Sequence, residues 1–145
     1  MPTKQHYESF ESLGRDALDR ITEINLRLES LSELIKKSQP KKPGAITLHL
    51  YSCGKDCLGC PHPSWLVWYS TKKGDDSVFL SYKTKTPLRK VKRSGDFKES
   101  SEKTKRLIKE AIELLQERSE IINMVSNLNK KLSAMGKVRK LKIIA

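Results

Sequence analysis

Every cysteine in the chain falls within eight residues, in the run Cys53-Gly54-Lys55-Asp56-Cys57-Leu58-Gly59-Cys60-Pro61-His62-Pro63. The spacing is C-x3-C-x2-C-x-H. Three thiolates and one imidazole suit a closed, four-coordinate tetrahedral zinc site. The cofactor expected is therefore a structural Zn2+ held by Cys53, Cys57, Cys60 and His62. The two glycines agree, because a loop wrapped round an ion needs backbone freedom that glycine has without steric cost. His62 follows Cys60 after one proline, which makes a tight chelate, so His49 and Asp56 stand as alternative fourth ligands. Other chemistries fit less well. Iron–sulfur clusters usually want four cysteines. The Cys57–Cys60 pair lacks the βαβ surroundings of a redox motif. A disulfide would leave one cysteine over.

Composition limits what surrounds this loop. With 145 residues, 37% hydrophobic and 32% charged, the chain reads as a single elongated domain with a thin core. A metal helps to organise such a chain. The N-terminus lacks the apolar core of a signal peptide, and no apolar run approaches the roughly 20 residues of a spanning helix. The expected location is cytoplasmic, with no membrane partner, where thiols stay reduced. The net charge of +12 points to an acidic partner, nucleic acid first.

Two long helical patterns flank the loop. In residues 7–37, apolar or small residues recur at Phe10, Gly14, Ala17, Ile21, Ile24, Leu28, Leu31 and Ile35. The steps alternate four and three, as in a coiled-coil seam. Pro40 stops this arm, and the lysines near its end complement the helix dipole. Residues 97–135 carry a second seam at Leu107, Ala111, Leu114, Arg118, Ile121, Val125, Leu128, Leu132 and Met135, with Gly136 as the terminator. Ile108, Ile112, Leu115 and Ile122 add a stripe to its first half, which implies a second packing partner there. Arg118 interrupts the seam. An arginine at such a position is expected to fix register at a cost in stability, so Arg118→Leu should raise the melting temperature.

Between the arms the hydrophobic period changes to two. Ile46, Leu48 and Leu50 alternate with Thr47, His49 and Tyr51; Trp65 to Ser70 and Ser77 to Tyr82 form two further strands about a turn at 72–76. A three-stranded antiparallel meander follows, with the metal loop in its first connection. Six of the nine aromatic residues lie between Tyr51 and Tyr82. They suit the core of a small sheet, and Trp65 and Trp68 are the rings placed to stack on exposed bases.

Residues 83–93 hold six cations and no acid. This run reads as an extended strand or loop, and Lys85, Arg89, Lys90, Lys92 and Arg93 are its candidate phosphate contacts. The expected fold class is α+β. Two long coiled-coil-like helices, about 45 and 55 Å long, form an antiparallel hairpin joined at one end by the small zinc-bound β lobe. The parts are an arm at 7–37, the lobe at 44–84, a basic connector at 85–96, the second arm at 97–135 and a basic tail at 136–145. Pairing of the arms between two chains, as a homodimer, is the alternative.

The order strand, Cys53-Gly54-Lys55, further cysteines, His62-Pro63-Ser64-Trp65, then Trp68-Tyr69 resembles a small domain family of bacteria, archaea and their viruses and mobile elements. Its members carry a CGK start, close cysteines and an HGPYWY-like segment before a long helix. The resemblance spans roughly residues 45–132. This chain departs from the family in cysteine spacing and in having Pro63-Ser64 where the family tends to have Gly-Pro. The resemblance implies zinc and a phage or mobile-element setting, with no established activity.

The function expected from these features is non-enzymatic binding of DNA or RNA, dominated by phosphate contacts, because no recognition helix follows the cysteines at a finger-like spacing. A coiled-coil adaptor for a protein partner, or an inhibitor of a host nucleic-acid enzyme, is the other reading. An enzyme fits least, since no second histidine–carboxylate cluster accompanies the cysteines and a four-liganded metal has no open position.

Overall fold

The computed structural model of the chain describes residues 4–54 and 57–134. The expected features at Asp56, Met135, Gly136 and the 136–145 tail, and the side chain of Phe10, lie outside the described residues. The elements in order are α1 (Lys4–Lys37), β1 (Ile46–Tyr51), β2 (His62–Lys73), β3 (Asp76–Thr84), a helical turn α2 (Pro87–Lys90), a 3-10 turn (Gly95–Phe97) and α3 (Ser101–Ala134). The fold is α+β.

The two long helices run antiparallel. The Ser38 and Thr104 hydroxyls meet at 2.8 Å, Arg27 pairs with Glu110 at 2.9 Å, and Arg20 pairs with Glu117 at 2.7 Å. Rising positions on α1 thus meet falling positions on α3. These ion pairs are exposed and direct the pairing more than they stabilise it. The stabilising part is the seam. On α1, Gly14, Ala17, Ile21, Ile24, Leu28, Leu31 and Ile35 are all buried. On α3, Ile108, Ala111, Arg118, Val125, Leu128 and Leu132 are buried, while Leu107, Leu114 and Ile121 are half-buried.

The sheet order is β1-β2-β3, antiparallel throughout. Ile46 faces Val67 and Leu48 faces Trp65 across the first pair; Val67 faces Tyr82 and Trp68 faces Ser81 across the second. A two-residue turn, Gly74-Asp75, joins β2 and β3, with Gly74 at φ +68°. At the start of β1 Trp68 donates to the Ala45 carbonyl at 2.9 Å and accepts from the Gly44 N–H at 2.7 Å. Gly44 and Ala45 together oppose one residue, a bulge that glycine permits at φ +104°.

The expected layout is corrected in two respects. First, the sheet does not cap one end of a two-helix hairpin. It lies along the flank of the pair, with Ile46, Leu48 and Val67 in one core with Ile24, Leu28, Leu31, Ile35, Ile108 and Ala111. The second apolar stripe of α3 meets this core through Ile112 and Leu115. Area burial favours one shared core over a lobe too thin to bury a face of its own. Second, the described residues form three α-helices, because the connector is not extended. Pro87 opens a helical turn, and Pro87, Val91 and Phe97 are buried, with Val91 joining the shared core.

Gln39 ties the sheet to α1. Its Oε1 accepts from the Ile46 N–H at 3.0 Å, and its Nε2 donates to the Ile46 and Ile35 carbonyls, the latter at 3.1 Å. The side-chain amide thus stands in for a neighbouring strand at the β1 edge and caps the last turn of α1.

Candidate metal centre and basic surface

The metal loop leaves β1 after Tyr51 and returns at His62, the first residue of β2. One donor atom from each of Cys53, Cys57, Cys60 and His62 lies within 4.8 Å of the others. Cys53 Sγ and Cys60 Sγ are 3.2 Å apart, and Cys57 Sγ is 3.5 Å from His62 Nε2. A tetrahedron with metal–sulfur bonds of about 2.3 Å and a metal–nitrogen bond of about 2.0 Å has edges of about 3.5–3.8 Å. The quartet is therefore compact enough to close on a metal, with the Cys53–Cys60 pair lying slightly inside that edge length. No disulfide joins these cysteines. His49 is not part of the group; its ring stacks on Tyr51 at 5.8 Å on the exposed side of the sheet.

Local backbone prepares the site. Gly54 adopts φ +76°, a conformation costly to other residues. A Cβ at Gly59 would sit 3.4 Å from His62 Cε1 and 3.9 Å from Cys57 Sγ, ordinary contact distances that place this backbone directly against the ring. The Cys53 N–H points at Cys60 Sγ at 3.4 Å. That N–H, with the Cys53 side chain, holds the Cys60 thiol below its ordinary range.

Arg118 connects this loop to the helices. It is only 4% exposed. Its Nε donates to Asn25 Oδ1 at 2.8 Å, and a terminal nitrogen donates to the Gly59 carbonyl at 2.9 Å. Burial lowers the guanidinium's affinity for its proton, and the charges of Cys60 and Cys57 oppose that effect. Among the described residues, no carboxylate is bonded to it. The loop thus sits about 20 Å down the hairpin from its closed end at Ser38, counting the helical rise between positions 25 and 38.

The basic residues lie elsewhere, at the closed end. Lys85, Arg89, Lys90, Lys92 and Arg93 are all exposed. The buried Pro87, Val91 and Phe97 hold the connector while its cations face outward. Lys92 differs from the others. Its Nζ lies 5.5 Å over the Phe97 ring, and its stem packs beside Gly44. Lys42 is paired with Asp96, whose carboxyl is held below its usual range by that contact.

The two tryptophans part company. Trp65 is on the helix-facing side, packed against the core. Trp68 is on the opposite side, stacked with Phe79 at 5.2 Å and 14°, its Nε1–H donating to Thr47 Oγ1 at 2.9 Å. Sequence reasoning missed Phe79 as a site residue. The two-residue turn carried the signal, since it pairs Trp68 with Ser81 and so brings Phe79 diagonally beside the indole. No helix of the described residues is long and apolar enough to cross a membrane.

Comparison with protein-family models, curated proteins and solved structures finds no match to this chain. The resemblance of its CGK and HPSW segments rests on those residues alone.

Proposed function

We propose that the chain is a non-enzymatic nucleic-acid-binding module whose structural zinc is held by Cys53, Cys57, Cys60 and His62. The observation that carries this reading is the connector. Lys85, Arg89, Lys90 and Arg93 are exposed on a segment pinned by buried apolar residues, in a chain of net charge +12. A pinned, acid-free row of cations suits phosphates, which dominate non-specific affinity. Zinc would crosslink the loop and supply no reactive position. Three thiolates exceed the charge of zinc by one, and Arg118 supplies the compensating cation beside the loop.

A salt titration of oligonucleotide binding tests the reading. Changing Arg89, Lys90, Lys92 and Arg93 together to Ala should lower the slope of log affinity against log salt by about 3 units for duplex DNA. Lys92 contributes least, because its ammonium is engaged by Phe97. Unchanged binding at every salt concentration would remove the connector from the interface. A protein partner would then be the better reading, favoured by Tyr69, Leu80 and Tyr82, which are 38–44% exposed.

A further inference from the structure

We infer that the outward face of the sheet, centred on Trp68 and Phe79, is a binding site for single-stranded nucleic acid. This deepens the proposed function and rests on it. Strand alternation divides the sheet's side chains between two faces. One face, with Ile46, Leu48 and Val67, is covered by the helices. The other carries Thr47, Trp68, Phe79 and Lys83, and none of its positions on the three strands is Asp or Glu. A chain with 17 acidic residues keeps them off one whole sheet face, which leaves that face complementary to a polyanion.

The face also has a built groove. It measures about 390 Å³ and is lined by Trp68, Phe79, Thr47, Pro40, Lys36 and Lys41, among others. That volume lies within the range of pockets that hold small molecules. Trp68 and Phe79 stack within 14° of parallel, and Phe79 is 45% exposed. Together they form an offset stack, a stepped shelf that a third ring can extend. The Trp68 indole N–H is already bonded to Thr47, so the shelf offers its π surface rather than a donor. Bases of any sequence stack on such a surface. Lys36 and Lys41 stand at the groove's rim, Lys36 with only a 3.8 Å contact to Glu33, and are positioned for the phosphates of a strand whose base occupies the shelf. A duplex hides its base faces and has no use for the shelf. An acidic peptide would use the cations and leave the rings idle. The occupant that uses both is an unpaired polynucleotide.

The test uses the full chain with Trp65→Phe, which leaves Trp68 as the sole tryptophan. Probes are dT12, rU12, a 12-base-pair duplex and poly-glutamate. Titration with dT12 or rU12 is expected to quench Trp68 fluorescence. Phe79→Ala, at a largely exposed position, and Trp68→Ala should each weaken single-strand binding about 5- to 150-fold. Trp68→Tyr should recover most of the affinity. Lys36→Ala with Lys41→Ala should lower the single-strand salt slope by about 1.4. Oligonucleotide binding that leaves Trp68 fluorescence and the Phe79→Ala affinity unmoved overturns this inference while leaving the connector reading in place. So does tighter binding of the duplex than of dT12, or equal competition by poly-glutamate. Absence of binding by every oligonucleotide at low salt overturns the proposed function as well.

Discussion

Arg118→Leu sets two lines of reasoning against each other. The helical seam alone favours leucine, since a buried guanidinium is costly and an apolar side chain suits the position. The tertiary structure favours arginine. At 4% exposure its two donors bond Asn25 Oδ1 at 2.8 Å and the Gly59 carbonyl at 2.9 Å. Hydrogen bonds from a charged group contribute about 1.5–3 kcal/mol each, so the pair is worth at least about 3 kcal/mol. Leucine returns about 2 kcal/mol by burial but leaves the Gly59 carbonyl and the Asn25 amide oxygen without these donors. The net expectation is a loss of about 1–3 kcal/mol. For a chain of this size that lowers the melting temperature by about 3–12 °C. The assay is thermal unfolding in zinc-supplemented buffer followed by circular dichroism, with Asn25→Ala and the double variant completing a cycle. A coupling of at least about 0.5 kcal/mol between the two sites is expected. Because Gly59 lies between Cys57 and Cys60, the leucine variant should also lose zinc to a chelator several-fold faster at unchanged stoichiometry. A leucine variant that melts at or above the parent temperature would refute this balance and restore the seam argument.

Other expectations follow from the same contacts. Native mass spectrometry should find one zinc per chain; Cys57→Ser should abolish it, and chelation should loosen the loop while the helical signal largely persists, because the α1–α3 seam lies outside the loop. Gln39→Ala should cost about 1–3 kcal/mol by leaving the part-buried Ile46 N–H without its acceptor, read as faster amide exchange at Ile46 and a lower melting temperature. Trp65→Ala should cost about 3 kcal/mol of stability with little change in oligonucleotide affinity, since its ring belongs to the core; unfolding in urea with a parallel binding titration distinguishes the two effects.

Much of this architecture is local and therefore readable in the sequence. The cysteine–histidine quartet spans ten positions, so its side chains can converge without long-range folding, and their spacing was enough to name the cluster. The seam of α1 from Gly14 to Ile35 follows from helical periodicity, which does not depend on what covers it. The Gly74-Asp75 turn sets the β2–β3 register in the same local way. What only the tertiary structure decided is which surfaces meet. Both faces of β2 are apolar, with Trp65 and Val67 on one and Leu66 and Trp68 on the other, so alternation separates the two tryptophans without saying which is covered. The helix pair made that choice by packing on the Val67 side, which turned Trp68 and Phe79 outward. The connector's Val91 and the seam's Arg118 depended equally on distant partners. Their roles come from the shared core and from Gly59, and neither contact leaves a trace in the local spacing of residues.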